Sequence, residues 1–151
     1  MVSKAMASNQ PLHTHDFYAW ANEQAKLLRA GKLEQADIPN IAEEIESMGR
    51  SERRELISRL TVLLLHLLKW KYQPALQGKS WEISIREQRR RTLSHLDENP
   101  SLNATLDEIM RVAYNDAVGD AELQTGLDQS AFPSVCPWSL DSIFLDGWLP
   151  E

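Results

Sequence analysis

The stretch from Leu56 to Trp70 is apolar on nearly every side, and it constrains the fold more than any other feature of the chain. On a helix, at about 100° per residue, four of its leucines share one side and three cover other directions. These are Leu56, Leu60, Leu63 and Leu67 on the shared side, and Leu64, Leu65 and Leu68 elsewhere. A helix that is hydrophobic all round is buried on most sides. The sequence therefore predicts a central helix, ended by Gln73-Pro74, with other helices packed around it.

Capping residues and glycines divide the rest of the chain into further helices. Thr14 or Asp16 can cap a first helix, and Gly31 supplies its left-handed stop. Gly126 ends a later helix in the same way. The later predicted helices run from Trp81 to about Glu98 after a Ser80 cap, from Leu102 to about Gln124 after a Ser101 cap, and from Trp138 to Phe144.

A second helix is predicted to follow an Asp37 cap, with Pro39 in its first turn. Its apolar residues fall at helical spacing and are expected to face inward; they are Ile38, Ile41, Ile45 and Met48. Gly49 either bends this helix or ends it. The apolar stripe stays in phase beyond Gly49, but Ser51 can cap a new start, which favours a break.

The predicted fold class is all-α: a helical bundle of about five main helices around the central apolar helix, with an irregular C-terminal segment wrapping the bundle. We expect residues 1–14 to form a flexible leader and residues 15–151 to form a single domain. The longest apolar run, 62–68, contains His66 and is too short to span a bilayer. No signal peptide is evident, so we expect a cytoplasmic protein without membrane contact. The single Cys136 excludes an internal disulfide.

Long motifs in the chain are similar to those of a known family. The matching residues are 16–20 (DFYAW), 41–52 (IAEEIESMGRSE), 66–74 (HLLKWKYQP), Ser80-Trp81, 85–89 (IREQR), 100–102 (PSL) and Leu149-Pro150. Together they resemble the bacterial "domain of unknown function twenty-nine" family, which is common in cyanobacteria. The resemblance implies a small helical bundle. It implies no activity, so no catalytic role is carried over to this chain.

Several polar side chains fall on or beside stripes that should face the core. They are Glu44, Glu52, His66 and Arg89. Since a buried charge is costly without a partner, one interpretation is a structural network in which Arg89 pairs with Glu44 or Glu52. The alternative is a polar pocket that binds a small anion or metabolite, or a weak enzyme that uses Glu44 and His66 as acid and base.

A basic run in the same region is a candidate anion-binding surface. It comprises Arg86, Arg90 and Arg91. The chain as a whole is acidic, with a pI of about 5.2, and no groove-reading helix stands out, so nucleic-acid binding is disfavoured. Known metal-binding, phosphate-loop and nucleophile motifs are missing from the sequence, which predicts no metal and no cofactor.

The charge distribution and the missing reaction motifs favour a non-catalytic helical protein-interaction module, with a protein partner that can include a second copy of the chain. Residues 101–151 carry one basic and nine acidic residues, which would steer a basic partner. The alternatives are the metabolite pocket or weak enzyme at Glu44, His66 and Arg89, and a nucleic-acid-associated factor using the arginines at 86–91. The sequence does not identify an enzyme and leans against one.

Overall fold

Helices provide the regular structure of the chain in the computed structural model, which describes residues 12–151. Five α-helices follow a helical turn over residues 12–15, and no strand occurs in the described range. They are α1 (Phe17–Arg29), α2 (Ile38–Tyr72), α3 (Lys79–Glu98), α4 (Leu106–Thr125) and α5 (Leu140–Phe144). Short 3-10 turns lie at Leu33–Gln35, Pro74–Leu76, Pro100–Thr105 and Gln129–Ala131. The predicted all-α helical bundle is confirmed.

Internal contacts group the chain into two compact units, Met1–Arg50 and Ser51–Glu151. The predicted leader, residues 1–14, lies outside the described residues except for its last three positions, which are helical. The single domain over residues 15–151 stays a prediction. Among the described residues, no helix has both the length and the apolar character that crossing a membrane requires.

The predicted start and end signals of α1 are confirmed. The side chain of Asp16 accepts a hydrogen bond from the backbone N–H of Ala19 at 3.0 Å, which satisfies one free donor of the first turn. Gly31 follows the helix with a φ of 71°, a left-handed conformation that glycine adopts without strain.

Asp37 links α1 to the start of α2. Trp20 is buried on α1, and its indole Nε1 donates to Asp37 Oδ2 at 3.0 Å. The backbone N–H of Asp37 donates to Gln24 Oε1 at 2.7 Å. These two bonds fix the position of the residue that immediately precedes α2.

Helix α2 runs for 35 residues without interruption, about 52 Å at 1.5 Å per residue. The predicted break after Gly49 is therefore wrong. A glycine inside a helix costs only about 1 kcal/mol, and the strong helix formers on both sides of Gly49 outweigh that cost. Ser51 lies inside the helix and starts no new one.

The apolar stripe on the first turns of α2 is more exposed than predicted. Ile38, Ile45 and Met48 are 47%, 59% and 62% exposed, where the sequence pattern placed them inward. Trp20 is the one large apolar side chain that is buried among residues 12–50. Among the described residues of the N-terminal unit, none buries these three side chains.

The leucine-rich half of α2 lies at the centre of the C-terminal unit, as predicted. Six of its leucines have no exposed surface: Leu56, Leu60, Leu63, Leu64, Leu67 and Leu68. They belong to one core cluster with buried residues of the other helices, namely Ile85 and Leu96 of α3, Ile109, Ala113 and Ala117 of α4, and Ile143 of α5. The full circle of apolar residues on this half-helix is therefore matched by neighbours on several sides.

Three predicted helix starts are displaced. Helix α5 begins at Leu140 and not at Trp138. Helix α3 begins at Lys79, after an extended Gly78, so Ser80 lies inside the helix and caps nothing. The chain from Pro100 to Thr105 forms a 3-10 turn, so α4 begins at Leu106 and not at Leu102. The predicted stop of α4 is confirmed, because Gly126 has a φ of 76°.

The C-terminal segment packs its aromatic side chains onto the core, as predicted. Phe132 is buried, and its ring meets that of Tyr72 edge to face at 5.2 Å. Trp138 and Trp148 meet in the same manner at 5.9 Å, and both are partly buried against the core. Such pairs add about 0.5–1.5 kcal/mol beyond the area they bury.

Shortening a central leucine should destabilise the fold strongly. Leu63→Ala or Leu67→Ala should lower the free energy of unfolding by about 2–5 kcal/mol, because each leaves a cavity in a close-packed core. Leu123→Ala is the control: Leu123 is 84% exposed, and its loss should cost less than about 0.5 kcal/mol. Urea unfolding measures all three. A loss below about 1 kcal/mol at both buried positions would contradict the central role of this half of α2.

Candidate functional site

Arg89 is a buried cation that holds the C-terminal segment. Its side chain lies on the inner face of α3 and is 3% exposed. The Nε atom donates to the carbonyl oxygen of Ile143 at 2.7 Å, and Nη2 donates to that of Trp148 at 2.8 Å. Ile143 lies in the last turn of α5, where carbonyl groups lack helical partners, so Arg89 caps that helix end. The expected pair with Glu44 or Glu52 is absent among residues 12–151; two carbonyl groups take its place.

The charge of Arg89 is maintained against its burial. Burial lowers the pKa of the guanidinium, while the carboxylate of Asp146 acts to raise it. Hydrogen bonds from a charged donor are worth about 1.5–3 kcal/mol each, so the two carbonyl groups offset much of the desolvation cost. This arrangement suits a structural role for Arg89.

His66 is half-buried in the central helix and is bonded to its own backbone. Its Nδ1 atom lies 2.8 Å from the carbonyl oxygen of Val62, one turn earlier. Burial lowers the pKa of the imidazole, and the positive charge of Lys69 acts in the same direction. A backbone carbonyl group is therefore the partner of His66.

Glu44 has a partner within the N-terminal unit. Its Oε1 atom lies 2.9 Å from Nε2 of His13, which belongs to the predicted leader. The His13 ring also contacts Trp20 edge to face, with 4.4 Å between the ring centroids. Each of Glu44, His66 and Arg89 thus has local partners of its own. A pocket shared by the predicted residues Glu44, Glu52, His66 and Arg89 stays a prediction.

Two of the three arginines of the predicted anion-binding surface are already paired. Arg90 Nη2 and Arg91 Nε donate to the same oxygen of Glu87, at 2.7 and 2.8 Å. These two hydrogen bonds lower the pKa of Glu87 to about 2. Arg86 lies at a shallow groove that is also lined by Arg89 and Asp146. Anion binding by these arginines stays a prediction, and their carboxylate partners would compete with it.

The structure brings together a polar cluster that the sequence did not predict. His95 of α3 is only 6% exposed and lies beside Glu52 and Glu55 of α2. One potential ligand atom of each residue lies within 4.8 Å of the other two, so the three could hold a metal ion. The sequence motifs predicted no metal site.

The helical spacing of α3 could have indicated that His95 faces inward. It follows Thr92 by three residues and Gln88 by seven, and both of those positions belong to the inward sector of the helix. Glu52 and Glu55 are three residues apart on α2, which places them on neighbouring positions of one face. What the sequence could not supply is the lateral placement of α3 against α2.

Replacing Arg89 with alanine should lower the free energy of unfolding far more than replacing Arg91. Arg89→Ala strands two carbonyl groups and should lower the free energy of unfolding by about 3 kcal/mol. Arg91→Ala removes one exposed ion pair and should cost at most about 1 kcal/mol. Urea unfolding of the two variants provides the comparison, and equal losses would show that Arg89 does not hold the C-terminal segment.

Comparison with known proteins agrees with the resemblance noted in the sequence. A family model described as "Domain of unknown function DUF29" matches residues 12–149, nearly the whole chain. No curated protein and no solved structure matches the chain. The chain belongs to the DUF29 family.

Proposed function

We propose that this protein is a non-catalytic interaction module that binds a basic amphipathic helix of another protein along the first turns of α2. The binding surface, called the α2 seam, consists of Ile38, Ile41, Ile45 and Met48. The observation that carries the proposal is the exposure of this seam: Ile45 and Met48, in the first third of a 35-residue helix, are each about three-fifths exposed.

The spacing of the seam suits helix-to-helix pairing. Its residues follow one another at intervals of three, four and three, which are the a and d positions of two heptads. Ala42 and Gly49 fall beside the seam and are small, so the backbone of a second helix can approach closely. Exposed apolar surface of this kind marks interaction sites in soluble proteins.

The charges around the seam favour a basic partner. From Asp37 to Gly49 the chain has four acidic residues, namely Asp37, Glu43, Glu44 and Glu46, and no basic residue. Arg50 follows and pairs with Glu43 at 3.0 Å and with Glu46 at 3.8 Å, so the seam keeps an excess of negative charge. A second helix with lysine or arginine beside its apolar stripe would find opposite charges there. A second copy of the chain would instead bring its own acidic residues to the same surface. Charge therefore argues for a different protein as the partner.

The contacts of the other candidate residues support a binding role over catalysis. Both bonded nitrogen atoms of Arg89 are used by backbone carbonyl groups, and His66 is bonded to the backbone of its own helix. General acid–base catalysis needs a titrating side chain within reach of a substrate. Arg89 and His66 instead make hydrogen bonds within the protein that support its fold. Arg90 and Arg91 both form ion pairs with Glu87, which weighs against nucleic-acid binding by these two arginines.

Photo-crosslinking inside the native cell tests this proposal. A benzophenone amino acid placed at Met48 should crosslink to one other protein, through a peptide that is helical and rich in lysine or arginine. The same group placed at Leu123 is the matched control, because Leu123 is more exposed than Met48 and is not a residue of the seam. Mass spectrometry identifies the crosslinked peptides.

A charge inserted into the seam adds a second arm to this experiment. Ile45→Glu, in the chain that carries the crosslinker at Met48, should abolish the product because it places a charge within the apolar contact. Crosslinks no more abundant than at Leu123 would overturn the proposal. A product that contains only a second copy of this chain would overturn the heterologous partner.

A further inference from the structure

The imidazole of His95 is buried, yet both of its nitrogen atoms face oxygen atoms of α2. The Nε2 atom lies 2.8 Å from the backbone carbonyl oxygen of Glu52, so this nitrogen carries the proton and donates it. The Nδ1 atom lies 3.5 Å from Oε2 of Glu55. In the neutral ring Nδ1 is an acceptor, so it faces a second acceptor. That contact is favourable when a positive charge, either a proton on Nδ1 or a metal ion, lies between the two atoms.

A divalent metal ion fits between these atoms. Zinc binds histidine nitrogen at about 2.0–2.1 Å and carboxylate oxygen at about 2.0–2.2 Å, so tetrahedral geometry separates the two ligand atoms by about 3.4 Å. The observed separation of Nδ1 and the Glu55 oxygen is 3.5 Å. Oε2 of Glu52 is the third donor, at 3.4 Å from the other ring nitrogen of His95.

We propose that Glu52, Glu55 and His95 bind one divalent transition-metal ion, for which zinc is the natural probe. The set of one imidazole and two carboxylates is of the type that zinc, iron and manganese accept. Three protein ligands leave a coordination position for water or a ligand atom.

Each proposed ligand has a further partner that would orient it. Arg59 Nη2 donates to Oε1 of Glu55 at 2.7 Å, which leaves Oε2 directed toward His95. Asn99 Nδ2 approaches Oε2 of Glu52 at 3.4 Å. His95 donates its other N–H to a backbone carbonyl, as metal-binding histidines commonly do. This pattern of outer contacts is independent of the distances between the ligand atoms.

The cluster is open to an ion from solution, and its charges permit one. Glu52 and Glu55 are nearly half exposed and line a surface groove of about 420 Å³. Arg90 and Arg91 also line the groove, and both are paired with Glu87, at 2.7 and 2.8 Å. The two carboxylates would balance the charge of a divalent ion.

Titration of the chelator-treated full-length protein with zinc chloride tests the site. The protein should carry His13→Asn and His15→Asn, which removes the other closely spaced histidines. Isothermal titration calorimetry should then show one equivalent of zinc bound. Glu55→Gln should weaken binding at least about 100-fold, since loss of an outer partner alone costs about 10–100-fold. Arg59→Gln should fall in that smaller range.

Two controls and a spectroscopic readout separate this site from other causes. His66→Asn and Glu108→Gln should leave zinc binding unchanged, because neither residue belongs to the cluster. The nitrogen resonance of His95 Nδ1 should shift to a metal-bound value when zinc is added. A protonated Nδ1 in the presence of excess zinc would overturn the proposal. So would the absence of stoichiometric binding, or equal affinity in Glu55→Gln.

Discussion

The burial of leucine on all sides of one half-helix is the constraint on which the C-terminal unit depends. A buried leucine is worth about 1.5–3 kcal/mol relative to an exposed one, and six leucines of α2 have no exposed surface. No single neighbouring helix can cover such a surface. Helices α3, α4 and α5 and the aromatic residues after α4 all contribute to its cover. On α4 the contact residues include Ala113 and Ala117, whose small size allows close approach.

Polar groups inside this unit are arranged so that the C-terminal segment can remain mostly irregular. A chain without regular structure leaves carbonyl groups that must find donors when they are buried. Arg89 supplies two such donors from α3, and Tyr114 supplies a third, since its hydroxyl group donates to the carbonyl oxygen of Pro133 at 2.6 Å. Burial raises the pKa of Tyr114 to about 12, so it remains a donor at physiological pH. Side chains of α3 and α4 thus supply hydrogen-bond donors that backbone N–H groups would supply in a sheet or a helix.

The sequence predicted the features that follow from helical periodicity and failed where lateral packing decides. The leucines of α2, the Asp16 cap and the Gly31 and Gly126 stops depend on local spacing or local backbone geometry, and all were predicted. The partner of Arg89 was not, because a backbone carbonyl group has no signature in a side-chain pattern. The exposure of Ile45 was not predicted either, since periodicity shows which face is apolar but not whether anything covers it. The cluster around His95 depends on the placement of two helices that the pattern alone does not fix.

The two methionines Met48 and Met110 offer the most direct test of the central claim, which is that α2 has a covered half and an uncovered half. Met48 lies on the α2 seam and is 62% exposed, whereas Met110 belongs to the core cluster and is 7% exposed. Methionine sulfoxide forms more readily where the sulfur is accessible to the oxidant. Mass spectrometry after a brief hydrogen peroxide treatment of the purified folded protein should show Met48 oxidised well before Met110. Equal protection of the two residues would mean that the seam is covered within the isolated chain, and would contradict the account.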